Sequence, residues 1–160
     1  MKNFFYELKT NKKLLMFALI SLIFFISLIF YLVGFSGSNY SFKYYEAGTS
    51  YKTVYETRKV KSLRGYSSME RYVEELLLGS TVQRAMPIFP LGTRILSCLY
   101  KKNVFYLNLS EDALFNFSED FDFEKSFELL EKNLKDNFKS IKKVELFIDG
   151  NQITNKNFDA

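Results

Sequence analysis

Thr93-Arg-Ile-Leu-Ser-Cys-Leu-Tyr100 and Val104-Phe-Tyr-Leu-Asn-Leu109, joined by Lys101-Lys102-Asn103, are the stretch on which the fold turns. Both runs alternate with a period near two, which puts one face of a strand inside and the other in water. Two such runs around a short polar turn predict a β-hairpin. Pro87 and Pro90 punctuate the loop that leads to Gly92 at the hairpin's start. Beyond its end, Ser110 reads as the N-cap of a short helix. Glu111 and Asp112 fall in the first turn of that helix, where the peptide dipoles favour negative charge.

Upstream, Phe42 to Glu46 reads as a strand, Ala47-Gly48-Thr49 as a turn, and Tyr51 to Val60, rich in Tyr, Thr and Val, as a second extended stretch. Ser67-Ser-Met-Glu70 has capping-box spacing and opens a helix. That helix gathers Met69, Val73, Leu76 and Leu77 on one face and stops at Gly79. Downstream, Phe123, Phe127, Leu130, Leu134 and Phe138 recur at spacings of four, three, four and four, the stripe of an amphipathic helix. Glu128–Lys132 and Glu131–Lys135 are i,i+4 pairs on it. Val144 to Ile148 is the last strand expected, closed by the turn Asp149-Gly150. Helices interleaved with a few strands predict an α/β (α+β) sandwich: a small mixed β-sheet packed by two main helices.

In front of this domain, Leu14 to Val33 reads LLMFALISLIFFISLIFYLV, 20 residues without a charge. At about 1.5 Å per residue, such a helix spans roughly 30 Å, the thickness of a bilayer's hydrocarbon core. Lys2, Lys9, Lys12 and Lys13 precede it against Glu7 alone, and no charge follows until Lys43. The positive-inside bias therefore places the N-terminus in the cytoplasm and the rest outside. A cleaved leader would have an apolar run of about 7–15 residues and a small-residue cleavage site. Here the run is longer and only Ser36, Gly37 and Ser38 offer such a site, so an uncleaved single-pass anchor is expected. With no cysteine near that boundary, a lipid anchor is disfavoured. The expected organisation is a cytoplasmic N-terminus over 1–13, an anchor over 14–33, a flexible tether over 34–41, one domain over 42–153 and a tail over 154–160.

The net charge of +4 misleads, because four of the 22 basic and one of the 18 acidic residues precede the anchor. The exported part keeps 18 basic against 17 acidic residues, a net +1, which is no nucleic-acid footprint. There is no histidine, which excludes Ser-His-Asp and Cys-His catalysis and histidine-ligated zinc. One cysteine, Cys98, forms no internal disulfide and no thiolate metal site, and reads as a small core residue. The 7 glycines are scattered, without a phosphate-binding loop.

Carboxylates are the remaining chemistry: Glu111-Asp112, then Glu119-Asp120-Phe121-Asp122-Phe123-Glu124. The run lacks the turn glycine and distal Glu of a calcium loop, and reads as helix-start charge plus a solvated loop. Phe115, Phe117 and Phe121 read first as core and second as an apolar contact patch. Tyr44, Tyr45, Tyr51, Tyr55 and Tyr66 read first as strand packing and second as the lining of a ligand pocket.

The order of these landmarks resembles the GerMN domain family (sporulation and spore germination GerM-like domain) over about residues 42–153. The matching points are Arg58-Lys-Val60 and Tyr72-Val-Glu-Glu-Leu-Leu-Leu-Gly79 with its terminal Leu-Gly. They continue through Pro90-Leu-Gly-Thr93 leading into Ile95, Ser97 and Leu99, then Asn103-Val104 through Leu107-Asn-Leu-Ser110, and Val144-Glu-Leu-Phe-Ile-Asp-Gly150. Asn108 stands where the family usually has an acid, and Lys132-Asn133-Leu134 keeps only part of an Asn-Thr-Leu. The resemblance implies an envelope protein without a catalytic constellation or cofactor. It also implies, through fold similarity to the ring-building modules of secretion-type assemblies, an interaction role. It makes Arg58, Gly79, Pro90, Gly92, Asn108, Asp149 and Gly150 markers of the fold: Arg58 a sheet-edge or buried-pair residue, the glycines a helix stop and turn positions. The expected partners are the membrane, through Leu14 to Val33, and other envelope proteins or further copies of the chain. The alternative is an extracytoplasmic module for a cell-wall or small-molecule ligand. A third reading, catalysis by paired carboxylates, finds no such pair in the sequence.

Overall fold

The computed structural model describes residues 12–34, 37–48, 52–115 and 121–153. The chain divides into two units, Met1–Ser36 and Gly37–Ala160. In the first, α1 (Lys12–Gly34) is a single 23-residue helix, apolar and long enough to cross a membrane.

The second unit begins with an antiparallel hairpin of β1 (Gly37–Glu46) and β2 (Thr53–Lys61), in register from Gly37↔Lys61 to Tyr45↔Thr53. Phe42 and Tyr44, two apart, both point inward and are fully buried. The expected tether over 34–41 is thereby corrected: from Gly37 onward it is strand. Its small residues suggested a flexible linker, but Gly37 serves strand pairing, because a Cβ there would lie 2.7 Å from the Val60 carbonyl oxygen. β3 (Ala85–Met86) pairs with the far end of β1 and completes a sheet of order β2-β1-β3.

Between β2 and β3 lies α2 (Ser68–Leu77), opened by the expected capping box. Glu70 N–H donates to Ser67 Oγ at 3.0 Å, and the Glu70 carboxylate accepts from Ser67 N–H. The helix buries Tyr72, Val73 and Leu76 and ends before Gly79, whose φ of +85° suits a residue without a side chain.

The second sheet has order β4-β5-β6-β7, built from β4 (Ile95–Lys101), β5 (Val104–Leu109), β6 (Lys143–Ile148) and β7 (Asn151–Ile153). The hairpin closes on Lys102 and Asn103, both at positive φ, which matches the right-handed twist of the flanking strands. β5 pairs parallel to β6, so the chain crosses between them through α3 (Phe123–Asn137). The fold is α+β, with its strands in two small sheets; the mixed one is the second. Ser110 is also corrected. A single 3-10 turn (Glu111–Leu114) follows it without a side-chain cap, and its hydroxyl instead accepts from Arg94 N–H at 3.1 Å and donates to Asp112 at 2.8 Å.

Candidate functional site: a buried polar clamp and an apolar groove

β1 has a strand on only part of one edge. Tyr45 and Glu46 pair with β3, but Ser41 and Lys43, further back on that edge, meet α3 instead. Asn133 accepts from Lys43 N–H at 2.8 Å and donates to Lys43 C=O at 2.9 Å. One turn later, Asn137 does the same to Ser41, at 3.0 and 2.7 Å. Two side-chain amides, four residues apart on a helix, thus stand in for the missing strand. Tyr72 joins them, donating from its hydroxyl to Asn133 and Ser41 C=O and accepting from Asn137. Its ring stacks on Phe42 at 4.8 Å. Asn133 is wholly buried with both ends of its amide used, as a buried amide requires.

Arg58 ties β2, the edge strand, to α2. Its Nη2 donates to Tyr44 Oη at 2.6 Å and to Glu75 C=O at 3.1 Å, and its guanidinium carbon lies 4.2 Å from the centre of the Phe42 ring. Glu56 and Glu75 neutralise it at 3.4 and 3.8 Å, although Nε itself makes no aligned hydrogen bond. Burial, partly offset by Arg58, pushes Tyr44 up to about 12. Burial acts on Glu56 in the upward direction too, but hydrogen bonds from Ser80 and Thr81 outweigh it and hold that carboxyl below its ordinary value. Arg58 therefore sits both at a sheet edge and in a half-buried pair.

The other family-marked residues lie at turns. Pro90 C=O accepts from the amide and hydroxyl of Thr93 at 3.1 and 2.7 Å, around Gly92 at φ +102°. Asn108 Oδ1 accepts from Gly150 N–H at 3.0 Å and so braces the turn of Asp149 (φ +47°) and Gly150. An acid at 108 would offer the same acceptor.

Among the described residues, no group of three His, Cys, Asp or Glu is placed to hold a metal ion. Asp122 caps α3 by accepting from Lys125 N–H, and Asp112 accepts from Ser110; Phe117, Glu119, Asp120 and Tyr51 lie outside the described residues. Burial first, then the nearby Glu70 carboxylate, pushes Cys98 up to about 11, so its thiol stays protonated at neutral pH. Tyr44 is core, Tyr55 is exposed beneath Lys43, and Tyr66 borders a hollow of about 70 Å³ with Tyr40.

The larger concavity is a groove of about 650 Å³ between α2 and its end (Arg71, Glu74, Leu77, Leu78) and residues 91–95. Leu77 packs on the core, whereas Leu78 and Leu91 are 72% and 76% exposed at the rim. Arg71 is held by Glu74 and, at 3.2 Å, Glu75. In the sequence, residues 90–93 and Gly79 show only as a turn marker and a helix stop. The signal of a groove there is that each turn glycine, Gly79 and Gly92, follows a leucine that the fold leaves exposed, Leu78 and Leu91.

Two small sheets packed by α2 and α3 make an α+β domain with the fold of the GerMN type. The chain belongs to the family described as Germane, sporulation and spore germination, whose family model matches residues 40–154. It is similar to the first GerMN domain of the sporulation protein GerM from Bacillus subtilis, at 20% identity and a TM-score of 0.53. That match covers 71% of this chain and 85% of the other. It is also similar to the tandem GerMN domains of that protein, at 19% identity and a TM-score of 0.51, covering 72% and 41%. No curated protein matches the chain.

Proposed function

We propose that this is a single-pass envelope protein whose GerMN-type domain works outside the cytoplasmic membrane, binding other proteins in a membrane-associated assembly without chemistry of its own. The observation that carries the reading is the groove. Its lining is mainly apolar, with Leu78 and Leu91 exposed beside Leu77, so a surface seated there would take both leucines out of water. α1 and the lysines before it support the location, since they suit an anchor with its N-terminus inside. Confinement to a membrane raises the effective concentration of weak partners.

In-cell crosslinking of the tagged full-length chain, followed by mass spectrometry of the captured proteins, tests the proposal. Envelope proteins crosslinked through residues near Leu78 and Leu91 are the expected result. A groove that captures no protein and retains a small molecule on purification contradicts it. That second reading, a small-molecule or cell-wall ligand, has one observation in its favour: about 650 Å³ lies within the usual range of ligand pockets.

A further inference from the structure

We propose that the turn between β2 and α2, residues 63–66, is a foot that seats the domain on the bilayer surface. Leu63 and Tyr66 enter the interface, and Lys61 and Arg64 meet the phosphates of anionic phospholipids. The inference rests on the anchor half of the reading above and names the end of the domain that faces lipid.

Only two residues separate Gly34, the last of α1, from Gly37, the first of β1. A helix of 23 residues is about 34 Å long, enough to carry its end to the headgroups. Three further peptide steps reach at most about 11 Å. Whatever the angle between the two units, an anchored chain therefore begins β1 close to the membrane surface. Gly37 pairs with Lys61, the last residue of β2, and the turn follows at once. Tyr66 lines the same small hollow as Ser38 and Tyr40, so the turn lies beside the start of β1.

What the turn presents suits that surface. Tyr66 N–H donates to Leu63 C=O at 3.3 Å around Gly65 at φ +95°, and the capping box at Ser67 fixes the chain just beyond. Every residue from 61 to 68 is exposed, Leu63 by 46% and Tyr66 by 51%. Residues 59–69 hold Lys59, Lys61 and Arg64 and no acid, whereas residues 34–160 as a whole carry 18 basic against 17 acidic side chains. Neither Lys61 nor Arg64 forms an ion pair among the described residues. Tyrosine and leucine beside long cationic side chains are what an interfacial contact uses. The apolar parts bury area at the acyl boundary while the cations stay with the phosphates. With so short a connection, the surface nearest this end is the bilayer, which decides for lipid over a protein partner. The apolar groove lies towards the other end of α2, about 15 Å along its ten residues, and stays open.

The test uses the full chain carrying Cys98→Ser, reconstituted in vesicles of phosphatidylcholine and phosphatidylglycerol that include a lipid spin-labelled on its headgroup. A thiol-linked fluorophore sits at Ser62→Cys or at Gln83→Cys, an exposed position beside the far end of β1. Flotation of the vesicles first establishes that the chain is anchored. Strong quenching is expected at 62 and little at 83. Leu63→Ser with Tyr66→Ser, and separately Lys61→Glu with Arg64→Glu, should each lower the quenching at 62 severalfold. These four positions are exposed, so the variants should fold. Quenching at 62 that neither pair of substitutions changes overturns the proposal, because the short connection alone then holds the label there. So does equal quenching at 62 and 83, or none at 62, in a chain that floats; those results leave the anchor standing. A chain that does not float with the vesicles overturns the anchor reading as well.

Discussion

At the residue scale, Asn133 is the wholly buried amide of α3 that closes the open edge of β1. Asn133→Ala would leave the Lys43 N–H and C=O without their partner on α3, while the Tyr72 hydroxyl keeps Ser41 C=O and Asn137. Each buried group so orphaned costs on the order of 1–3 kcal/mol. The expected outcome is a fall in unfolding stability, with hydrogen exchange accelerated at the Lys43 amide. Asn133 was visible in the sequence only as a polar residue inside a stripe of leucines. Periodicity said where the helix faced, not that a strand edge waited there 90 residues away in the chain. Arg58 was marked by the family pattern, but its partners on β1 and α2 come together only in three dimensions. Tyr44 gives a pH test. Its hydroxyl titrates at 10.0 ordinarily and at about 12 when buried, so above pH 10 the folded state keeps a proton the unfolded chain has lost. Its contribution is fully present below 10 and falls as pH rises towards 12. Tyr72 moves the same way, chiefly by burial. Denaturation midpoints should drop across this alkaline window, and Tyr44→Phe should flatten part of the drop.

At the element scale, long periodic segments were legible and short ones were not. The β4–β5 hairpin, α2 with its capping box, and α3 follow from turn chemistry and spacing. β3 and β7 have two and three residues, too few to show a period, and without them the split into two sheets could not be read. The start of β1 was hidden for a different reason, since Gly and Ser are the residues of linkers as well as of crowded strand pairs. Gly37→Ala tests that account. A methyl group 2.7 Å from the Val60 carbonyl must push the strands apart, and overpacking of this kind costs about 1–3 kcal/mol. The substitution should lower the thermal midpoint, whereas the same change in a free tether would leave it unmoved.

At the scale of the whole molecule, an apolar helix precedes a domain that carries, among its described residues, a mainly apolar groove of about 650 Å³. If α1 spans a membrane, Ile23→Arg near its middle adds about 2.5–3.5 kcal/mol to insertion, and the chain should shift from the membrane to the soluble fraction. No enzyme-like arrangement was legible in the composition, because the chain has no histidine and a single cysteine. The groove was not legible because it forms where α2 ends against a loop. The central claim is that this groove binds protein. The most direct measurement places a photo-activatable residue at Leu91 in the full-length chain in its native membrane, with Tyr55, exposed on β2, as the reference position. The account expects a discrete protein adduct from Leu91 and none from Tyr55. Equal labelling from both positions, or no protein adduct from Leu91, would contradict it.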